Sequence, residues 1–117
     1  MSNIIISEIT KYALTEDDGR ILRNLIKERL INNDVVTLDF SDVKVFATPF
    51  FNSSIGYFFI NLDQDEFERK INPINLSELG KNTYLHCIEN AKIVKSKEKN
   101  FDKDVIGKIT TESINND

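Results

Sequence analysis

Apolar residues fall along the chain in two rhythms: short continuous runs and stripes at helical spacing. Ile4, Ile5 and Ile6 form a β-branched run within Asn3 to Ser7, which predicts a buried strand. Thr15 then precedes Glu16, Asp17 and Asp18. A threonine three residues ahead of a carboxylate is a weak capping box, and the acids suit the positive end of a helix dipole. Leu22, Leu25, Ile26 and Leu30 follow on one helical face, with Arg20, Arg23, Lys27 and Arg29 on the other. The helix is expected to close at Asn32 and Asn33, because asparagine tolerates left-handed backbone.

Val35, Val36, Thr37, Leu38 and Phe40 predict a central strand covered on both faces. Val43, Val45 and Phe46 read as a short strand or a turn. Thr48-Pro49 reads as a helix start, with Thr48 as cap and Pro49 at the first helical position. Phe51, Ile55, Phe58, Phe59 and Leu62 recur at helical spacing, the clearest such signal in the chain. Asp63 to Glu68 reads as an acidic linker holding Phe67. Ile71, Ile74 and Leu76 flank Pro73 and predict an edge strand. Ser77 is placed to cap a last helix striped by Tyr84, Cys87, Ile88, Ala91 and Val94, with Leu85 alongside.

Past Lys95 the apolar density falls. Residues 96–117 read as a polar tail, weakly attached or disordered, beyond a domain over residues 1–95. The order is strand, helix, three times over. It predicts an α/β domain with a parallel or mixed sheet, right-handed crossovers and about three helices.

Composition narrows the function classes. Forty per cent hydrophobic residues over 117 positions suffice for one core. The single cysteine and single histidine cannot build a disulfide framework or a closed zinc site. A net charge of −4 argues against a nucleic-acid binder. No apolar run approaches a membrane span, and MSNIIISEI lacks the basic start of a signal peptide, so a cytoplasmic protein is expected. A glycine-rich phosphate loop, a nucleophile elbow and a metal-spaced cluster are all missing, so neither catalysis nor a cofactor or metal is expected. His86 and Cys87 are helix neighbours whose side chains diverge by ~100°, so they cannot pair as base and nucleophile. Asp39 and Asp42, at the end of the second strand, could hold a cation, or could serve turn chemistry.

The stretch LDFSDVKVFATPFF, entered from DDGRILRNLIKERL, resembles the STAS-like family of unknown function, related to the sulfate-transporter and anti-sigma-factor-antagonist domains. The matching elements are Leu38-Asp39-Phe40, Val43 to Phe46, Thr48-Pro49 and Phe51, and later Asn75-Leu76-Ser77. The resemblance covers roughly residues 4–95. It implies a bacterial-type regulatory interaction module without catalysis, docking on a histidine-kinase-like ATPase or another signalling protein. In STAS-type antagonists a serine at the start of the second helix switches docking by phosphorylation. The antagonist loop reads Asp-Ser-Ser-Gly; here Ala47-Thr48-Pro49-Phe50 stands in its place. Thr48 and Ser53 are the nearby hydroxyls left as phosphate acceptors.

The expected docking surface is the loop before the second helix and that helix's outer side: Phe46, Thr48, Phe50, Asn52, Ser53 and Tyr57. Phe50 and Tyr57 lie off the buried stripe, where two aromatics suit an interface, or pack under a neighbouring loop. Thr48 reads as phosphate acceptor or as a plain cap. Lys92, Lys95, Lys97, Lys99 and Lys103 read as a solvated helix end complementing the dipole. A second copy of the chain is a further candidate partner. A different class stays open: a small acidic immunity or antitoxin-like inhibitor that covers a basic effector by charge.

Overall fold

The computed structural model describes residues 2–33 and 35–108, the side chains of 98–108 excepted. In chain order the elements are β1 (Ser2–Ile5), a 3-10 turn (Ile6–Glu8), β2 (Tyr12–Ala13), α1 (Glu16–Asn32), β3 (Val36–Asp39) and β4 (Val45–Phe46). Then come α2 (Thr48–Ser53), α3 (Ile55–Asn61), α4 (Gln64–Lys70), β5 (Ile71–Ile74) and α5 (Glu78–Lys108). The fold is α/β. The main sheet is parallel, in the order β1-β3-β5, with Ile4 opposite Leu38 and Leu38 opposite Pro73. The apolar β3 is therefore central and buried, and the proline-bearing β5 is an edge.

A second parallel pair, β2 with β4, is absent from the sequence reading of residues 12–13. Flanking bonds from Lys44 N–H to the Lys11 carbonyl and from Ala47 N–H to the Ala13 carbonyl extend it (2.9 and 2.8 Å). This small sheet brings the starts of α1 and α2 side by side.

The α1 cap forms as expected: Thr15 Oγ1 accepts from the Asp18 N–H at 3.1 Å. Arg20 reaches back to Glu16 and Asp17. The other end differs. Asn33 is extended (φ −136°), and its Nδ2 donates to the Arg29 carbonyl at 3.0 Å, so its side chain, not a left-handed turn, finishes the helix.

Among the described residues there are five α-helices, not about three, for two reasons. The long stripe from Thr48 to Leu62 breaks at Ser54 (φ −105°, ψ −80°). Ser54 is fully buried, and its Oγ donates to the Phe50 carbonyl at 2.8 Å. Such a back-bond bends a helix. The segment read as an acidic linker is α4: strong helix formers follow Asp63, and Phe67 packs its ring on Phe59. The helix start also moves by one. Ala47 is the cap and Thr48 the first helical residue, and no side chain bonds the free N–H groups. At α5, Ser77 Oγ accepts from the Gly80 N–H at 3.1 Å, as expected. The helix then runs past residue 95 to Lys108 without a break. The expected attachment of the 96–117 tail rests mostly on side chains and residues outside those described. No helix among the described residues is long and apolar enough to cross a membrane.

The core centres on aromatic rings. Phe51 packs among Phe40, Phe46, Phe50 and Tyr84, with ring centroids 5.6–5.9 Å away. Phe50, expected on an outer face, is fully buried, as is Phe51. A six-residue helix clamped by α1 on one side and α5 on the other has two covered faces, so adjacent residues can both point inward. Cys87 and Ala91 of α5 join the core, whereas Val94 and Leu85 are exposed. Burial pushes the Cys87 thiol up to about 12, so it is an inert core residue. Lys95 departs from the solvated reading. Its Nζ donates to the Phe59 and Leu62 carbonyls (3.0 and 2.7 Å), capping the C-terminal end of α3 from α5.

The tightest helix contact is at Gly19. A Cβ built there would overlap the Ser53 hydroxyl and the Phe50 carbonyl oxygen, so α1 and α2 meet backbone to backbone. Ser53 Oγ seals the contact by donating toward the carbonyls of Glu16 (3.0 Å) and Pro49 (3.1 Å).

At the C-terminal edge of the main sheet, Asp39 Oδ1 accepts from Ser41 N–H (2.9 Å), Ser41 Oγ (2.7 Å) and Asn75 Nδ2 (3.0 Å). Asn75 and Asp42 adopt left-handed backbone (φ 61° and 66°), which their residue types tolerate. The Asn75 amide first, then the Ser41 donors, hold the Asp39 carboxyl below its ordinary pKa.

Three outcomes follow. Gly19→Ala gains helix propensity but overpacks the α1–α2 contact. A net loss of ~1–3 kcal/mol in chemical denaturation is expected, and only part of it returns in the Ser53→Ala background, because the Phe50 carbonyl stays. Phe50→Ala is expected to cost about 3–5 kcal/mol, read by the same denaturation, since it empties a sealed aromatic site. Asp39→Asn is expected to destabilise at pH 6. A depressed folded-state pKa gives stability that is present above the unfolded value and is lost as pH falls through the folded one. The gap in melting temperature between wild type and this variant should therefore close on acidification; a constant gap would refute the charge-assisted turn.

Candidate functional site

The break at Ser54 decides the surface. The α1 backbone packs closely on α2, whereas past the break α3 stands farther from it and meets α1 mainly through long side chains. An open groove of about 560 Å³ results. Glu16 and Arg23 line its α1 side, Pro49, Asn52 and Ser53 come from α2, and α3 supplies Tyr57, Ile60 and Asn61.

Tyr57 is the centre of this groove. It is half-buried, and its ring packs edge-on against Phe58, which is in the core. The Arg23 guanidinium carbon lies 4.8 Å from the ring centroid and Lys27 Nζ lies 4.6 Å away. Cation–π attraction thus holds two α1 cations over one α3 ring. Neither cation makes an ion pair among the described residues, and Arg23 Nε is buried with no hydrogen-bond partner among them. Glu16, the acid in the groove, is taken by Arg20 at 3.1 Å. Asn61 Nδ2 donates to the Tyr57 carbonyl at 2.8 Å and steadies the end of α3.

Of the six residues expected to form a docking surface, three meet here: Asn52, exposed, and Ser53 and Tyr57, half-buried. The others do not. Phe46 and Phe50 are core residues; Phe46 stacks on Phe51 and presses against Gly80. Thr48 lies in a separate shallow hollow of about 330 Å³ with Asn82, Thr83 and His86. As a phosphate acceptor, Ser53 is blocked by packing. Its Oγ points into the Gly19 contact, so a phosphate there would force α1 and α2 apart. Arg23 and Lys27 are missing from the expected surface. In the sequence they are two of four basic residues on one helix face, and nothing local marks them as partners of Tyr57.

The Asp39 end of the sheet does turn chemistry: all three of its bonds tie β3 to the loops after β3 and β5. Among the described residues no group of three or more His, Cys, Asp or Glu side chains could hold a metal ion.

Comparison with known families places much of the chain. The model of the STAS-like domain of unknown function aligns with residues 18–81. No curated protein and no solved structure matches the chain. The aligned stretch runs from the first turn of α1 to the first turn of α5, and so contains β3, the rings of Phe40, Phe46, Phe50 and Phe51, and every groove residue except Glu16. It spans more than half of the chain, and the protein therefore belongs to the family of STAS-like domains of unknown function.

Proposed function

We propose that this chain is a non-catalytic regulatory module that docks on a protein partner through the groove between α1 and the α2–α3 pair. The related antagonist domains make a histidine-kinase-like ATPase, or another signalling protein, the expected partner. One observation carries the reading: an aromatic ring set at an open groove and flanked by an arginine and a lysine. Tyrosine and arginine dominate interface energetics because they offer large area at low entropic cost. Catalysis has less support, because the groove holds no hydrogen-bonded nucleophile and base.

The net charge of −4 favours a second reading, an acidic inhibitor of a basic effector. The two readings differ in sign. Removing Arg23 and Lys27 charge should weaken docking on the groove, but strengthen attraction to a basic effector.

The experiment is purification of the tagged full chain from its native host, followed by calorimetry with the recovered partner. Tyr57→Ala should weaken binding by roughly tenfold to a hundredfold while lowering the melting temperature only modestly and leaving the chain folded. Equal affinity for both forms would retire the groove as the docking site. A nuclease as the partner, bound more tightly by Arg23→Gln, would establish the inhibitor reading instead.

A further inference from the structure

We infer that the groove receives an acidic segment of the protein partner, with a side-chain carboxylate seated on Arg23 and Lys27 beside the Tyr57 ring. This rests on the docking reading above and adds the chemistry of the partner. Two cations are gathered over one aromatic ring, 4.8 and 4.6 Å from its centroid, and no acid of this chain neutralises either among the described residues. Glu16, the acid that lines the groove, is held by Arg20. Like charges placed together repel unless an anion joins them.

Arg23 adds a directional signal. Its Nε is withdrawn from solvent without an acceptor among the described residues. A buried donor left unpaired is costly, and a small swing of the half-buried Arg23 side chain would bring it to an acceptor seated in the groove. The guanidinium edge fits a carboxylate with two parallel N–H bonds, a geometry lysine cannot reproduce. Apart from Glu16, whose charge Arg20 offsets, the lining is neutral, chiefly Asn52, Ile60 and Asn61. A membrane or nucleic acid is disfavoured, since an extended polyanion would meet the net charge of −4. A single carboxylate in a local basic groove does not face that penalty.

The test is an NMR titration of the 15N-labelled full chain with a short capped peptide carrying a single glutamate between neutral serine and glycine residues, read at the Arg23 Nε–Hε resonance. The expected result is a saturable shift there and at the Tyr57 and Asn61 amides, weakened by salt. Arg23→Gln should abolish the shift at Tyr57. Lys27→Gln, at an exposed position that leaves folding intact, should weaken binding by about tenfold. Shifts gathered on Lys92 and Lys95 instead, or unchanged in both variants, would overturn the inference. So would a response to inorganic phosphate with none to the peptide. The natural partner separates the two levels. If Tyr57→Ala weakens its binding while Arg23→Gln and Lys27→Gln leave it unchanged, the acidic-segment inference falls and the docking reading stands. If Tyr57→Ala has no effect, the docking reading itself falls.

Discussion

The architecture depends on how closely α1 can approach α2. Gly19 permits backbone contact with the Phe50 carbonyl, and Ser53 locks the contact by bonding back to α1. Because α2 is pinned there, Phe50 and Phe51 are both driven inward, Phe50 edge-on against Phe51 and Phe51 into the ring cluster of Phe40, Phe46 and Tyr84. The next residue, Ser54, spends its hydroxyl on the Phe50 carbonyl and turns the chain. One side of the helix pair is thereby closed and the other left open. The groove is a by-product of close packing one turn away, and its two walls hold their spacing because neither helix can slide past Gly19.

Much of this was legible in the sequence where a local rule fixes the outcome. Thr15 caps α1 three residues ahead of Asp18, Ser77 caps α5, and Pro73 marks an edge, each by a bond that is formed or forbidden within a few residues. The alternation of strands and helices narrows the sheet to parallel or mixed, and all its pairings are parallel. What stayed hidden depends on contacts distant in sequence. Residues 12 and 13 form a strand only because Val45 and Phe46 lie beside them. The acidic run that became α4 shows one apolar residue, Phe67, too few to display a helical stripe, although its neighbours favour a helix. Phe50 was misplaced because one continuous helix was projected across the Ser54 break.

The site was legible by halves. Tyr57, Asn52 and Ser53 lie on the outer side of the predicted second helix, and there the structure opens its groove. The charges that give the groove its character come from a different helix. Arg23 and Lys27, spaced one turn apart, belong to an ordinary polar face until α3 brings an aromatic ring under them. Pairing between elements has no one-dimensional signature. Conversely, Lys95 looked like one of several solvated lysines, yet it closes the end of α3 and fixes the helix that carries Tyr57.

The sheet has a temporal consequence. Its pairings are parallel, Ile4 with Leu38 and Leu38 with Pro73, so each is separated by an entire crossover. Among the described residues no hairpin can serve as a local nucleus, and the central strand waits for a neighbour distant along the chain on either side. During synthesis β1 and β3 can pair early, but β3 lacks its second partner until Ile71–Ile74 has left the ribosome, and Phe51 lacks Tyr84 until α5 begins. The ring-rich segment from Phe40 to Phe59 therefore spends an interval made but uncovered. Exposed aromatic surface of that kind is what makes a partly made chain prone to aggregate.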